Sequence, residues 1–112
     1  MKERKVVIES TGFWVLTNQQ TTLTLLWSDL KEVVAFKQDM FTYDNLVFGF
    51  RIEEKDEYHF VDEEATGFYD LESALVQHLE GFDQDWMEKV ALPAFAMNWH
   101  TVYGSPLKVA GD

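Results

Sequence analysis

Apolar and polar residues change rhythm along the chain, and the first half has the rhythm of strands. Val6-Val7-Ile8-Glu9 is short and β-branched, Ser10-Thr11-Gly12 is turn material, and Phe13-Trp14-Val15-Leu16 resumes the β-prone pattern until Asn18-Gln19-Gln20 interrupts it. That predicts a hairpin. Thr22 to Trp27 opens with alternating Thr and Leu, the period of two of a half-buried strand, and Ser28-Asp29 then punctuates. Leu30 to Lys37 fits either period. Its shortness and its β-branched Val33-Val34 favour a strand. Gln38 to Asp44 reads as a loop. Leu46 to Ile52 is a strand with Leu46, Phe48, Phe50 and Ile52 on one face and Val47, Gly49 and Arg51 on the other. The charged turn Glu53-Glu54-Lys55-Asp56-Glu57 leads to a return strand, Tyr58-His59-Phe60-Val61.

After Gly67 the period becomes helical. Phe68, Leu71, Leu75 and Leu79 form one apolar stripe, with Glu72, Ser73, Gln77 and Glu80 elsewhere on the wheel. Gly81 is placed to end that helix in a left-handed conformation, with Phe82 folding back on the last turn. Asp83 suits the N-cap of a second, shorter helix over Gln84 to Ala91, stopped by Leu92-Pro93. Phe95, Met97, Trp99, Val102 and Tyr103 make an aromatic segment that fits a final strand or an extended arm. Residues 104–112 read as a flexible tail. The order predicts one α+β domain over residues 1–112, with five to seven antiparallel strands in a bent sheet or open barrel capped by a C-terminal helix.

Charge and composition narrow the function. The 112 residues hold 9 Lys and Arg against 20 Asp and Glu, a net charge of -11. Residues 53–88 carry thirteen of those acids and a single base, Lys55, so that segment nets -12 and the remainder +1. Phosphate backbones and anionic lipid need clustered Lys or Arg, and the only such cluster is Lys2, Arg4 and Lys5 at the chain start. Nucleic acid and membrane are therefore not expected partners. No stretch reaches the roughly 18 apolar residues of a membrane span. There is no cysteine, hence no disulfide, thiolate nucleophile or Cys-ligated metal, and a reducing cytoplasm is the expected compartment.

Catalytic chemistry finds no set of residues. Ser10, Ser28, Ser73 and Ser105 lie in no nucleophile elbow, and His59, His78 and His100 are scattered. Glu63 and Glu64 are adjacent, so their side chains diverge, and acids ahead of a helix are explained by its dipole. No catalytic residue, metal or cofactor is expected. Asp39, Tyr43 and Asp44 lie in a loop between strands, where sites on small domains concentrate, although turn formation is the commoner role of such Asp residues. Seventeen aromatics exceed what so short a chain buries easily, so some should be exposed for a partner or a second copy.

The element order resembles the pleckstrin-homology-like fold. Leu26-Trp27-Ser28-Asp29-Leu30-Lys31-Glu32-Val33 is similar to an interstrand turn of small bacterial members of that superfamily. Further landmarks resemble uncharacterised bacterial proteins of this length: Phe36-Lys37-Gln38-Asp39 with Tyr43-Asp44, Glu63 to Phe68, Leu79-Glu80-Gly81-Phe82 ahead of Trp86, and Leu92-Pro93-Ala94-Phe95. The resemblance spans about residues 13 to 103 and implies a fold without an activity. Phosphoinositide binding does not carry over, because the first hairpin turn has no Lys or Arg. The expected function is a non-enzymatic module that binds a protein or peptide at a sheet edge or strand-helix groove, through Asp39, Tyr43, Asp44, Glu63, Glu64, Trp86 and Trp99. The alternative is an acidic immunity or inhibitor protein that neutralises a basic toxin or nuclease.

Overall fold

The computed structural model describes residues 3–91 and 97–107. Among them, seven strands form two antiparallel sheets. One has the order β1-β2-β3, from Arg4–Glu9, Gly12–Thr17 and Gln20–Leu26. The other has the order β6-β5-β4-β7, in which β4 is Glu32–Asp39, β5 Asp44–Arg51, β6 His59–Asp62 and β7 His100–Gly104. Helices α1 (Phe68–His78) and α2 (Trp86–Ala91) lie between β6 and β7 in the chain. The fold is α+β.

Tight turns set the first sheet. Glu9 pairs with Gly12, so only Ser10 and Thr11 join β1 to β2. A Cβ at position 12 would come 2.1 Å from the Leu25 carbonyl oxygen, so the close approach of β3 requires glycine there. Asn18 and Gln19 both take positive φ, 50° and 70°, the two-residue turn whose twist suits a hairpin and which Asn tolerates. Trp27 does not continue β3. It starts a short 3-10 turn, Trp27–Asp29, and its indole N–H donates to the Ser10 carbonyl at 3.1 Å.

The two sheets share one core with the helices. Phe48 and Phe50 of β5 are its centre: Phe48 stacks on Phe68 of α1 and meets Trp86 of α2, both at 4.8 Å between ring centroids, while Phe50 lies 5.1 Å from Phe13 of β2. The stripe Phe68, Leu71, Leu75 and Leu79 is buried as its spacing requires, each side chain contributing roughly 1.5–3 kcal/mol. Gly81 has φ +81° and Phe82 N–H returns to the Leu79 carbonyl. The lead-in to α1 ties the helix to the first sheet, since Val6 N–H donates to the Thr66 carbonyl at 2.8 Å and Thr66 N–H to that of Arg4 at 2.9 Å.

Several boundaries differ from expectation for physical reasons. Of the two readings of the aromatic segment the final strand holds, so that β7 follows α2 and inserts beside β4, pairing Val33 with Tyr103. Strands run into the expected loop at both ends, leaving only Met40 to Tyr43 between β4 and β5, because Asp39 and Asp44 pair across the ladder. The second helix begins at Trp86, two residues later than expected, after an Asp83 side chain that accepts from Asp85 N–H. Gly104 ends β7, and Ser105 N–H donates to the Lys31 carbonyl. Pro93, Phe95 and residues 108–112 of the expected tail lie outside the described residues.

Asp83 also fastens the second helix to the last strand. Its Oδ2 meets Lys89 Nζ at 2.5 Å and His100 Nε2 at 2.9 Å, and its N–H donates to the Val102 carbonyl. Those pairings, Lys89 first, hold its carboxyl down from 3.8 to about 2. A depressed folded pKa contributes stability that is present above the unfolded value and lost as pH falls from about 4 toward 2. Asp83→Asn is expected to cost about 1–2 kcal/mol at neutral pH. Urea midpoints measured across acid pH should show the gap to the wild type closing over that window.

Candidate functional site

Strand β5 is covered on both faces. Its inner face carries Phe48 and Phe50, and its outer face carries Val47, Gly49 and Arg51, all buried. Four aromatic rings, two in the neighbouring strands and two just before β6 and β7, cover that outer face. Phe36 of β4 stacks on Trp99 at 5.2 Å and meets Phe60 of β6 edge-on at 5.7 Å, while Tyr58 lies 5.3 Å from Trp99 and 6.3 Å from Phe60. The rings form a closed circuit. Gly49 makes room for it, since a Cβ there would stand 2.8 Å from Val34 Cγ2 and 3.0 Å from the Phe60 ring.

The circuit faces outward. Phe60 is 53% exposed and Trp99 46%, with Met40, Tyr43 and Met97 also exposed and Phe41 at 95%. Exposed aromatic rings that touch one another, as Phe60 and Trp99 do through Phe36 and Tyr58, mark a contact surface more often than singly scattered ones. Phe41 takes φ +74° in the tight turn, where Asp39 Oδ1 accepts its N–H at 2.9 Å. That backbone throws its ring into solvent.

A buried polar cluster supports the circuit from below. Glu32, 1% exposed, accepts from Arg51 Nε at 3.1 Å, from the Tyr58 hydroxyl at 2.6 Å and from the Thr101 hydroxyl at 2.7 Å. Arg51 spends its other donors on the Glu53 and Ser105 carbonyls, both at 2.7 Å. Burial first, and then Glu32, push the Tyr58 hydroxyl up to about 12, so it stays a donor and its ring is held in place.

The residues singled out in the sequence fall in four places. Tyr43 donates to Glu64 across 21 positions, and Glu63 accepts from Tyr69 at 2.8 Å and from Leu46 N–H at 2.9 Å. Burial, with Glu63, lifts the Tyr69 hydroxyl to about 12. Asp44 stands 3.3 Å from the buried Lys37, so it serves the β4–β5 hairpin rather than the surface. Asp39 shapes the turn. Trp99 lies in the aromatic circuit. Trp86 is corrected: it is fully buried, donates to Glu72 at 2.6 Å, and cannot touch a partner.

Phe36, Tyr58 and Phe60 were missed as site residues. Their signal is a second apolar face: Phe60 alternates with the core residue Val61, yet its own side of the strand is aromatic as well. The histidines are not grouped, His78 stacking on Trp27 at 5.1 Å and His100 pairing with Asp83. Among the described residues no group of three His, Asp or Glu could hold a metal, and no helix is long and apolar enough to cross a membrane. The fold and surface define an α+β domain with an exposed aromatic sheet face. Compared with protein families, curated proteins and solved structures, the chain gives no match.

Proposed function

We propose that the chain is a non-enzymatic binding module of the cytoplasm, which holds a protein or peptide on the outer face of the four-stranded sheet. The observation that carries this reading is the exposed circuit of Phe36, Tyr58, Phe60 and Trp99, fixed from below by buried polar partners instead of collapsing into the core. Rigid aromatic anchors lose little entropy on contact, which is why such groups dominate binding surfaces. A pleckstrin-homology-like relation belongs to the same proposal; two antiparallel sheets of seven strands support it, and the strand after the helices departs from it.

A second reading, a neutraliser of a basic toxin or nuclease, draws on the exposed acids at Glu53, Glu54 and Glu57. A toxin gene beside this one favours it. Co-purification from the native organism tests the first reading when wild type is compared with the Phe60→Ser, Trp99→Ser double variant. The wild type should retain a partner that the variant loses while keeping its circular dichroism spectrum. Equal retention by both, or a wild-type monomer that retains nothing, overturns it.

A further inference from the structure

Among the described residues, strand β6 is the outer strand of its sheet and pairs only with β5. Glu63 N–H donates to the Leu46 carbonyl, and the alternation of an antiparallel ladder then turns the main chain of Val61 and His59 toward β5 and that of Phe60 away from it. The Phe60 N–H and carbonyl have no partner among the described residues. They open on a cleft of about 340 Å³ between β6 and the β2–β3 hairpin, lined by Val15, Thr22, Leu23, His59, Val61 and Arg4, whose charge is met by Asp62 at 2.8 Å. An unpaired edge beside a cleft of mixed polar and apolar lining is a template for an added strand.

Charge selects the occupant. Glu53, Glu54, Asp56 and Glu57 precede β6, and Asp62, Glu63 and Glu64 end and follow it. These seven carboxylates outnumber the four cations that touch them, Arg4, Lys31, Arg51 and Lys55. Tyr43 and Tyr69 hold Glu64 and Glu63 as neutral donors and cancel none of their charge. A second copy pairing antiparallel about Phe60 and Val61 would set the acids of 53–57 against those of 62–64, which like-charge repulsion opposes. A strand with Lys or Arg at both ends meets opposite charge at both.

Resting on the reading of the chain as a binding module, we propose that the β6 edge takes an extended basic segment of a partner. The segment exchanges main-chain hydrogen bonds with Phe60, turns small apolar side chains toward Val15, Leu23 and Val61, and sets its terminal cations beside the flanking acids. The inward side chains fix the register, and the acids accelerate encounter and make binding sensitive to salt.

Titration of isotope-labelled protein with a capped peptide, Val-Thr-Val between Lys-Arg pairs, tests this by nuclear magnetic resonance. The Phe60 and Asp62 amides should shift and become protected from exchange, with affinity falling as salt rises. N-methylation of the central peptide residue, or Thr22→Arg at the exposed rim of the cleft, should each weaken binding about tenfold, the scale of one main-chain hydrogen bond. Shifts at the Trp99 indole without shifts at Phe60 would overturn the edge site and leave the face reading standing. So would the absence of saturable binding, the face being judged separately by the capture experiment. Protection of the Phe60 amide in a peptide-free dimer also overturns it, because the occupant is then a second copy.

Discussion

Replacing Arg51 with methionine is expected to lower stability by about 3–5 kcal/mol, the cost of leaving a buried carboxylate without its cation. Glu32 and Arg51 have side chains 1% and 3% exposed and face each other directly across the β4–β5 ladder. Removing the guanidinium leaves the buried Glu32 without its cation, and it frees the Glu53 and Ser105 carbonyls that Arg51 now satisfies. The pair is not thereby a source of net stability. Changing both residues to apolar ones of similar volume, Glu32→Leu with Arg51→Met, should recover much of the loss, because desolvating two charges offsets most of their attraction. Urea unfolding of both single variants and the double variant measures the coupling directly. A loss below about 1 kcal/mol for Arg51→Met would show that water reaches the site. The double variant also keeps a hydroxyl at Tyr58 with no acceptor at Glu32, so the aromatic circuit above should loosen even where stability returns.

The sequence was most legible where structure is local. The helix stripe of Phe68, Leu71, Leu75 and Leu79 and the glycine stop at Gly81 follow from spacing alone, and so does the inward face of Phe48 and Phe50 on β5. Its opposite face was not legible. Arg51 sits at an outward position of an alternating strand, which ordinarily means solvent; it is buried because Tyr58, just before β6, and Ser105, just after β7, close over it. Nothing near position 51 announces either. The same holds for β7, whose place beside β4 depends on contacts across 69 positions, such as that of Thr101 with Glu32. Tyr43 and Glu64 were each noticed as polar residues of interest, but their contact needs the β5–β6 register that carries one loop to the other. Composition indicated that some aromatics must be exposed and was silent on which.

Trp86 and Trp99 settle that point by experiment, because alanine at the two positions should act on different properties. Trp86→Ala is expected to cost about 3–5 kcal/mol, the range for deleting a large buried aromatic. Its ring is fully enclosed and packs on Phe48, so truncation leaves a cavity between α2 and the sheet that rigid strands cannot collapse to fill. The Glu72 carboxylate, which now accepts the indole N–H, loses that partner as well. In a domain whose whole stability is about 5–15 kcal/mol, this is enough to populate unfolded chain near body temperature. Trp99→Ala removes a half-exposed ring whose contacts are a stack on Phe36 and an edge contact with Tyr58, and about 1 kcal/mol is expected. Thermal unfolding should therefore separate the two variants widely, while partner capture should separate them the other way at a temperature where both are folded. If Trp99→Ala proved as destabilising as Trp86→Ala, the outer aromatics would be a second core rather than a contact surface. The binding reading would then lose its main support.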